Sequence, residues 1–298
     1  MTKSYYCLIA LICFLAESVH AQDTYKRNRS ADVQHYIFSV SLNDHNNQIV
    51  GESLITVNLK NTTDPFALDL IGKSGSFGME ITGVFEGNNK ADYEYADDKI
   101  LIHPLPEPDR IRTYKVQYHG VPEKGLVIDT TKFGQRSFFG DNWPNLARYW
   151  LPSVDHPYDK ATVEFRVTAP ECYDVVATGK KVEESNLGNG YKLTSYKEPA
   201  QVATKVMTIG VSKFASKVLG YVDDIEVSAW VYPENRLEGF SDFDESTKIL
   251  QYYTDHIGPY SYAKLANMQA KTAWGGLENA GTIAYSEKSI TGKNEIQG

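Results

Sequence analysis

The chain has 298 residues, of which 38 are acidic and 30 basic, so its formal net charge is −8. With 42% hydrophobic and 23% charged residues, its composition is that of a globular protein and excludes a disordered or low-complexity chain. The acidic balance argues against a protein that binds nucleic acid or anionic membranes, because those surfaces repel net negative charge. At roughly 100–200 residues per domain, the length predicts about two domains.

The first 21 residues are predicted to be a secretory signal peptide. Lys3 gives a positive start, residues 5–16 form an apolar run, and Val19 and Ala21 occupy the −3 and −1 positions of a cleavage site. The run is too short to span a bilayer as a helix, and a retained N-terminal anchor is the alternative. We therefore expect the mature protein to be secreted or periplasmic and to have no transmembrane segment.

Cleavage after residue 21 would leave Cys172 as the single cysteine of the mature chain, because Cys7 and Cys13 lie within the signal. No intramolecular disulfide could then form, although the destination is oxidising. A lone cysteine in a strand-rich region is most often a small buried hydrophobe, and we expect that role for Cys172.

Residues 32–214 have the pattern of many short strands. Alternating apolar segments are separated by polar or glycine-containing turns at residues 43–47, 87–89 and 188–190. The predicted strands are residues 33–42, 53–59, 100–102, 114–118, 162–167, 173–177, 192–196 and 202–211. With no helical period between them, these strands predict a mainly β fold, an antiparallel β-sandwich or saddle-shaped sheet, in an N-terminal domain of residues 22–219.

The pattern changes after a last strand at residues 225–232. Ser241 is a candidate N-cap of a helix that ends at Gly258 and Pro259. The apolar face of this helix would carry Phe243, Leu250, Tyr253 and Ile257. A further strand is predicted near residues 265–270, so a second, α/β domain is expected in residues 220–298. This stretch is too short for a core of its own, and we expect the chain to be the front portion of a longer protein.

The most informative segment is Gly-Gly-Leu-Glu-Asn at residues 275–279. A Gly-Gly pair before a glutamate is by itself usually only a turn. Here, however, the segment resembles the Gly-x-Met-Glu-Asn exopeptidase signature of the aminopeptidase N-like zinc metallopeptidases, peptidase family M-one. The preceding residues 257–265 and the following residues 280–285 also resemble the family's pattern.

A second segment, residues 148–162, carries the same resemblance. Its sequence Arg-Tyr-Trp-Leu-Pro-Ser-Val-Asp-His-Pro-Tyr-Asp-Lys-Ala-Thr is similar to the family's R-x-x-P-x-x-D-x-P-x-x-K-A-T stretch. The two segments stand in the family's order, and the resemblance covers essentially the whole mature chain. It implies a β domain followed by the truncated start of an α/β thermolysin-like catalytic domain. It also implies an aminopeptidase that acts on peptides with a free amino terminus.

The resemblance assigns substrate-binding roles to five residues of the signature. Glu278 would hold the substrate's α-ammonium group through a charge-assisted hydrogen bond. Gly275 and Gly276 would let the substrate main chain approach the backbone, because neither has a Cβ. Asn279 would hold the loop, and Leu277 replaces the usual methionine at conserved volume.

The family often has a second amine ligand, a glutamate or glutamine, a few residues before the arginine of the second segment. This chain has neither there. Asp141 or Asn142 would take the role, and a purely structural loop is the alternative.

The family's zinc ligands lie in an H-E-x-x-H motif and a later glutamate. None of the chain's seven histidines is part of such a motif, and His156, beside Asp155, is expected to be a loop residue. We therefore expect zinc in the full-length family protein, no metal or catalytic residue in this chain, and no activity of the chain alone. The alternatives are a non-catalytic β-sandwich binding module or short paralogue, and the leukotriene hydrolase-like branch with epoxide hydrolase activity.

Overall fold

The computed structural model describes residues 23–293. The predicted signal peptide therefore lies outside the described residues, as do Cys7 and Cys13. Within residues 23–293, no helix combines the length and the apolar character that a membrane-spanning helix needs.

The described part of the chain contains twenty strands and two α-helices. The strands are β1 Ala31–Ser41, β2 Ile49–Leu59, β3 Phe66–Asp69, β4 Gly78–Glu86, β5 Asn89–Lys90, β6 Asp92–Ala96, β7 Lys99–His103, β8 Ile111–Val121, β9 Leu126–Thr130, β10 Arg136–Gly140, β11 Ala161–Pro170, β12 Asp174–Ala177, β13 Lys180–Asn186, β14 Tyr191–Val202, β15 Ile209–Ser212, β16 Ala215–Val222, β17 Ile225–Val231, β18 Lys264–Ala270, β19 Gly276–Asn279 and β20 Thr282–Ser286. The helices are α1 Arg236–Asp242 and α2 Ser246–His256, and the 3-10 turns are Ala147–Tyr149, Thr204–Val206, Pro233–Asn235 and Glu287–Ser289. The mainly β fold predicted from the sequence is confirmed.

The N-terminal part is a layered β structure around one core. An eight-stranded sheet has the order β13-β14-β11-β1-β2-β8-β4-β5, and its strands are antiparallel except for the parallel pair β1 and β11. Alternate residues of these strands point inward and pack against a four-stranded sheet, β12-β15-β10-β9, and a three-stranded sheet, β3-β7-β6. The core between the sheets holds large aromatic side chains such as Phe38, Trp150 and Phe165.

A five-stranded sheet, in the order β16-β17-β18-β20-β19, follows. Strands β17, β18 and β20 run parallel, and the edge strands β16 and β19 are antiparallel to their neighbours. One face packs through Met268 against Phe139 and Val176 of the four-stranded sheet. The other face is covered by the two helices, with Phe243 contributed by the turn between them and Leu250 by α2. This sheet therefore joins the β layers to the α/β part, and β16 crosses the predicted domain boundary at residue 220.

The helix predicted between Ser241 and Gly258 corresponds to α2, but its predicted start at Ser241 is wrong. Ser241 lies inside α1, and a turn separates α1 from α2. Phe243 lies in this turn and packs with Ala229 and Val231, whereas Leu250 of α2 packs with Val227 and Leu265. Tyr253 and Ile257, predicted for the buried face, are 53% and 79% exposed.

Two smaller predictions also fail. The strand predicted for residues 202–211 is interrupted by the turn Thr204–Val206, where the Asn142 side-chain amide donates to the carbonyl oxygens of Thr204 and Met207. Cys172 is exposed rather than buried. It lies in the turn between β11 and β12, where the next residue, Tyr173, takes the core position instead.

Candidate functional site

Within the Gly-Gly-Leu-Glu-Asn segment, Gly276–Asn279 form a strand, β19, at the edge of the five-stranded sheet and not the expected loop, and Gly275 lies just before it. Ser286 N donates to Gly275 O (3.0 Å), and Leu277 pairs with Ala284 in the antiparallel register. Because hydrogen-bonded and non-hydrogen-bonded positions alternate along an antiparallel pair, the backbone groups of Gly276 and Glu278 point away from β20. The outer edge of β19 therefore offers main-chain donors and acceptors for an added strand. The Gly275 carbonyl is already used within the sheet.

The side chains of β19 alternate between the core and the solvent. Leu277 and Asn279 are buried, and Leu277 packs beside Met268. Glu278 points outward, and its carboxylate makes no hydrogen bond or ion pair with any described residue. At Gly276, a Cβ would come no closer than 3.7 Å to its nearest neighbour, the Ala284 carbonyl oxygen, so the glycine leaves this side of the strand uncovered.

A cleft of about 420 Å³ lies beside β19. Its walls are formed by Gly276, Leu277, Glu278 and Asn279 of the strand together with Trp143, Lys205, Val206 and Trp274. The Trp143 and Trp274 rings meet edge to face, with centroids 6.2 Å apart, although they are 46% and 56% exposed. The cleft therefore combines an unpaired carboxylate, a free strand edge and an apolar indole wall.

The sequence missed the other walls of the cleft. Trp143 follows the candidate residue Asp141 by two positions, and Trp274 directly precedes Gly275. A tryptophan so close to a candidate binding residue is a signal that could have predicted the apolar wall. Lys205 and Val206 carry no such signal, because only the fold brings their turn next to β19.

The two candidates for a second amine ligand have different environments. The Asn142 amide donates to Thr204 O (3.2 Å) and Met207 O (2.8 Å) and accepts from Trp150 Nε1 (2.8 Å), so it is committed to the fold. Asp141 is half-buried, and its Oδ1 has no partner within residues 23–293. Burial raises the pKa of the Asp141 carboxyl. Asp141 precedes the cleft residue Trp143 by two positions but is not itself in the lining.

Two charged residues of the segment 148–162, Arg148 and Asp155, form a network that is largely buried. Asp155 Oδ2 accepts from Arg148 Nε (3.1 Å), and Asp155 Oδ1 accepts from Thr204 Oγ1 (2.8 Å). The network thereby holds the turn Thr204–Val206, whose Val206 carbonyl accepts from Ala280 N (2.9 Å) just after β19. The two segments singled out in the sequence are therefore connected through this turn.

His156 lies in a loop, as expected, where its ring stacks on Tyr25 at 4.6 Å. Among the described residues, no group of three or more His, Cys, Asp and Glu side chains is arranged to hold a metal ion.

A buried lysine lies on the inner side of the β19–β20 turn. Lys264 is 5% exposed, and its Nζ donates to Gly281 O (2.9 Å) and Thr282 Oγ1 (2.6 Å). Burial lowers the pKa of Lys264 to about 7, which the nearby Glu198 carboxylate offsets in part. In the sequence this lysine is visible only as a member of the stretch before the signature.

Comparison with known proteins identifies the family. Residues 32–206 match the Peptidase M1 N-terminal domain. A probable aminopeptidase 2 of Sulfurisphaera tokodaii is 22% identical over 220 residues, which cover 72% of this chain and 28% of that protein. An aminopeptidase N of Acetobacter pasteurianus is 23% identical over 271 residues, covering 86% of this chain and 74% of the relative.

Solved structures share the fold. The M1 zinc metallopeptidase from Deinococcus radiodurans matches with a TM-score of 0.73 and 20% identity, over 90% of this chain and 62% of that one. Leukotriene A4 hydrolase from Saccharomyces cerevisiae matches with a TM-score of 0.75 and 17% identity, over 89% of this chain and 42% of that one. The chain thus spans between about a quarter and three quarters of the proteins it is compared with here. With the family's N-terminal domain in residues 32–206 and both sequence segments in its order, the chain belongs to the M1 peptidase family.

Proposed function

We propose that this chain supplies the amino-terminus-binding part of a zinc aminopeptidase, an enzyme that removes N-terminal residues from peptides. The observation that carries the proposal is the Glu278 carboxylate, unpaired among the described residues, on a strand whose outer edge is free. An unpaired carboxylate beside main-chain donors and acceptors is what a peptide with a free ammonium group requires.

In this proposal, a substrate peptide lies along β19 as an added strand. The main-chain groups of Gly276 and Glu278 hydrogen-bond its backbone, and the Glu278 carboxylate accepts from its α-ammonium group. The edge-to-face indoles of Trp143 and Trp274 provide an apolar surface within the same cleft. Asp141 is proposed as a second, weaker electrostatic attraction for the ammonium group.

Zinc would supply the Lewis acid and the activated water of the family's chemistry. The described residues do not fit this metal. Among them, no three His, Cys, Asp or Glu side chains lie close enough together to hold a metal ion. We therefore derive no catalytic step for this chain. We propose that the zinc ligands belong to a part of the protein outside this chain, and that the chain alone neither retains zinc nor hydrolyses peptides.

Export is a further part of the proposal. The charged start, apolar run and small residues of the first 21 residues support a secreted or periplasmic aminopeptidase. N-terminal sequencing of the protein recovered from the periplasm or medium would test it, with Gln22 as the expected first residue.

The test of the binding role uses the chain itself. A peptide amide with a free amino terminus and its N-acetylated counterpart are titrated into wild type and Glu278→Gln, and binding is followed by indole fluorescence or calorimetry. A hydrogen bond to a charged group contributes roughly 1.5–3 kcal/mol, so the free peptide should bind on the order of 10- to 150-fold more weakly to the variant. The acetylated peptide should bind both forms equally. An equal loss for both peptides, or no loss, contradicts the proposal.

The alternatives from the sequence predict other results. A non-catalytic binding module would bind peptides without hydrolysing them even in the full-length, zinc-loaded protein. The epoxide hydrolase branch would turn over an epoxide in that protein. The fold is common to peptidases and to leukotriene A4 hydrolase, so likeness of fold does not favour this branch.

A further inference from the structure

The turn between β19 and β20 is held from two sides. From the N-terminal layers, Val206 O accepts from Ala280 N (2.9 Å), and Ala177 O accepts from Thr282 Oγ1 (3.2 Å). From β18, Ala266 N donates to Gly281 O (3.0 Å). The turn is therefore the point where the β layers and the five-stranded sheet meet, only a few residues after Glu278.

Lys264 is the one side chain of β18 that bonds directly to this turn in the described structure. Its Nζ donates to Gly281 O at 2.9 Å and to Thr282 Oγ1 at 2.6 Å. Gly281 has a φ of +67°, and a Cβ on it would come within 2.8 Å of the Lys264 carbonyl oxygen, so the turn packs tightly against the start of β18. Lys264 thus holds the Gly281 carbonyl and the Thr282 hydroxyl in place, and with them the backbone conformation of the turn.

A lysine is a costly choice for this position. Burial of an amine is unfavourable unless its hydrogen bonds are satisfied, and an apolar side chain of similar length would avoid that cost. Glu198, which is fully buried and accepts from Ala200 N (3.0 Å) and Ala263 N (3.1 Å), lies near enough to favour the charged amine. The cost is therefore offset by directional contacts, which indicates that Lys264 contributes to the position of the turn rather than to stability alone.

We propose that Lys264 is a positioning residue for Glu278: acting through Gly281 and Thr282, it holds the β19–β20 turn and thereby sets where the Glu278 carboxylate lies in the cleft. The meaning of that position for substrate binding rests on the proposed function. The contact between Lys264 and the turn does not depend on the proposed function. The position of the turn and the binding of substrate are therefore measured separately.

The test replaces Lys264 with methionine, which keeps the length of the side chain and removes its donors. In Lys264→Met, amide exchange at Ala266 and Ala280 should be faster by roughly 10-fold, and the Glu278 amide resonance should shift or broaden. Amides of β2 and β8 in the distant core should exchange as in wild type. Lys264→Met also leaves the buried Glu198 carboxylate without the nearby amine, so the melting temperature is recorded as the measure of any global loss of stability. Lys197→Met, at an exposed lysine of β14, is the matched control and should change none of these readouts.

Two smaller substitutions, both at Thr282, provide the test if Lys264→Met does not fold. Thr282→Val removes the hydroxyl that accepts from Lys264, whereas Thr282→Ser keeps it. The valine variant should loosen the same amides, and the serine variant should behave like wild type.

The outcomes separate the two proposals. If exchange at Ala266 and Ala280 and the Glu278 resonance match wild type in both Lys264→Met and Thr282→Val, Lys264 does not position Glu278. If these readouts change, the positioning role stands even where Glu278→Gln has no effect on peptide binding, a result that would overturn only the substrate role of Glu278.

Discussion

The segment 148–162 and strand β19 are the two regions in which the sequence resembles one family, yet their acidic residues meet opposite surroundings. Asp155 is buried and accepts hydrogen bonds from Arg148 and Thr204. Glu278 is exposed and has no partner among the described residues. A carboxylate whose acceptor positions are occupied stabilises the fold, whereas an unpaired one is available to a ligand. Resemblance to a motif therefore does not determine the role of its residues, because that role depends on what each side chain contacts.

The greatest loss of stability is expected from a substitution in the network of Asp155, Arg148 and Thr204. Asp155→Ala leaves the Arg148 guanidinium and the Thr204 hydroxyl without this acceptor, and removal of one partner of a buried ion pair costs roughly 3–5 kcal/mol. Urea unfolding followed by circular dichroism measures the loss. Glu278→Gln is the comparison, and its free energy of unfolding should stay within about 0.5 kcal/mol of wild type. Equal stability of the two variants would remove the distinction between the regions.

The stability that the segment 148–162 contributes should also depend on pH. Asp159, in the segment 148–162, is buried, and its burial raises the pKa of its carboxyl to about 7. A raised pKa means that the folded state binds its proton more tightly than the unfolded state does. The stabilisation is complete below about pH 4 and is lost as the pH rises through about 7. Asp159→Asn cannot ionise, so between pH 5 and 8.5 it should become more stable relative to wild type by roughly 2–3 kcal/mol.

The exposed Asp92 provides the control for this measurement. Asp92→Asn should follow the wild-type pH dependence throughout. A constant difference between wild type and Asp159→Asn over the pH range would show that the carboxyl does not titrate in the folded protein near pH 7.

A smaller effect is expected at a contact between Trp143, five residues before the segment 148–162, and Trp274, two residues before β19. Trp143 and Trp274 pack edge to face across the cleft, and such aromatic pairs contribute about 0.5–1.5 kcal/mol beyond the area they bury. A double-mutant cycle of Trp143→Ala and Trp274→Ala should yield a coupling free energy of unfolding in this range. Strict additivity of the two substitutions would mean that the two indoles are not energetically coupled.

Much of the fold follows from local sequence. The alternation in residues 33–42 and 53–59 matches β1 and β2, and the strand expected near residues 265–270 is β18. The prediction failed where distant side chains take over backbone groups, as Asn142 does at the turn Thr204–Val206. It also failed at the start of the helix near Ser241, where Phe243 packs on the sheet from a turn between α1 and α2.

Local sequence was enough for the mainly β class, the family and the candidate segment that contains Glu278, because strand alternation and a short motif are local properties of the chain. The substrate roles of Glu278 and Asp141 and the absence of a zinc site in this chain remain predictions. Three features appear only in the folded protein: Glu278 lies on a free sheet edge, two tryptophans share its cleft, and Lys264 reaches the turn beyond it. These features depend on contacts between residues far apart in the chain, and the packing of the β layers against the five-stranded sheet creates those contacts.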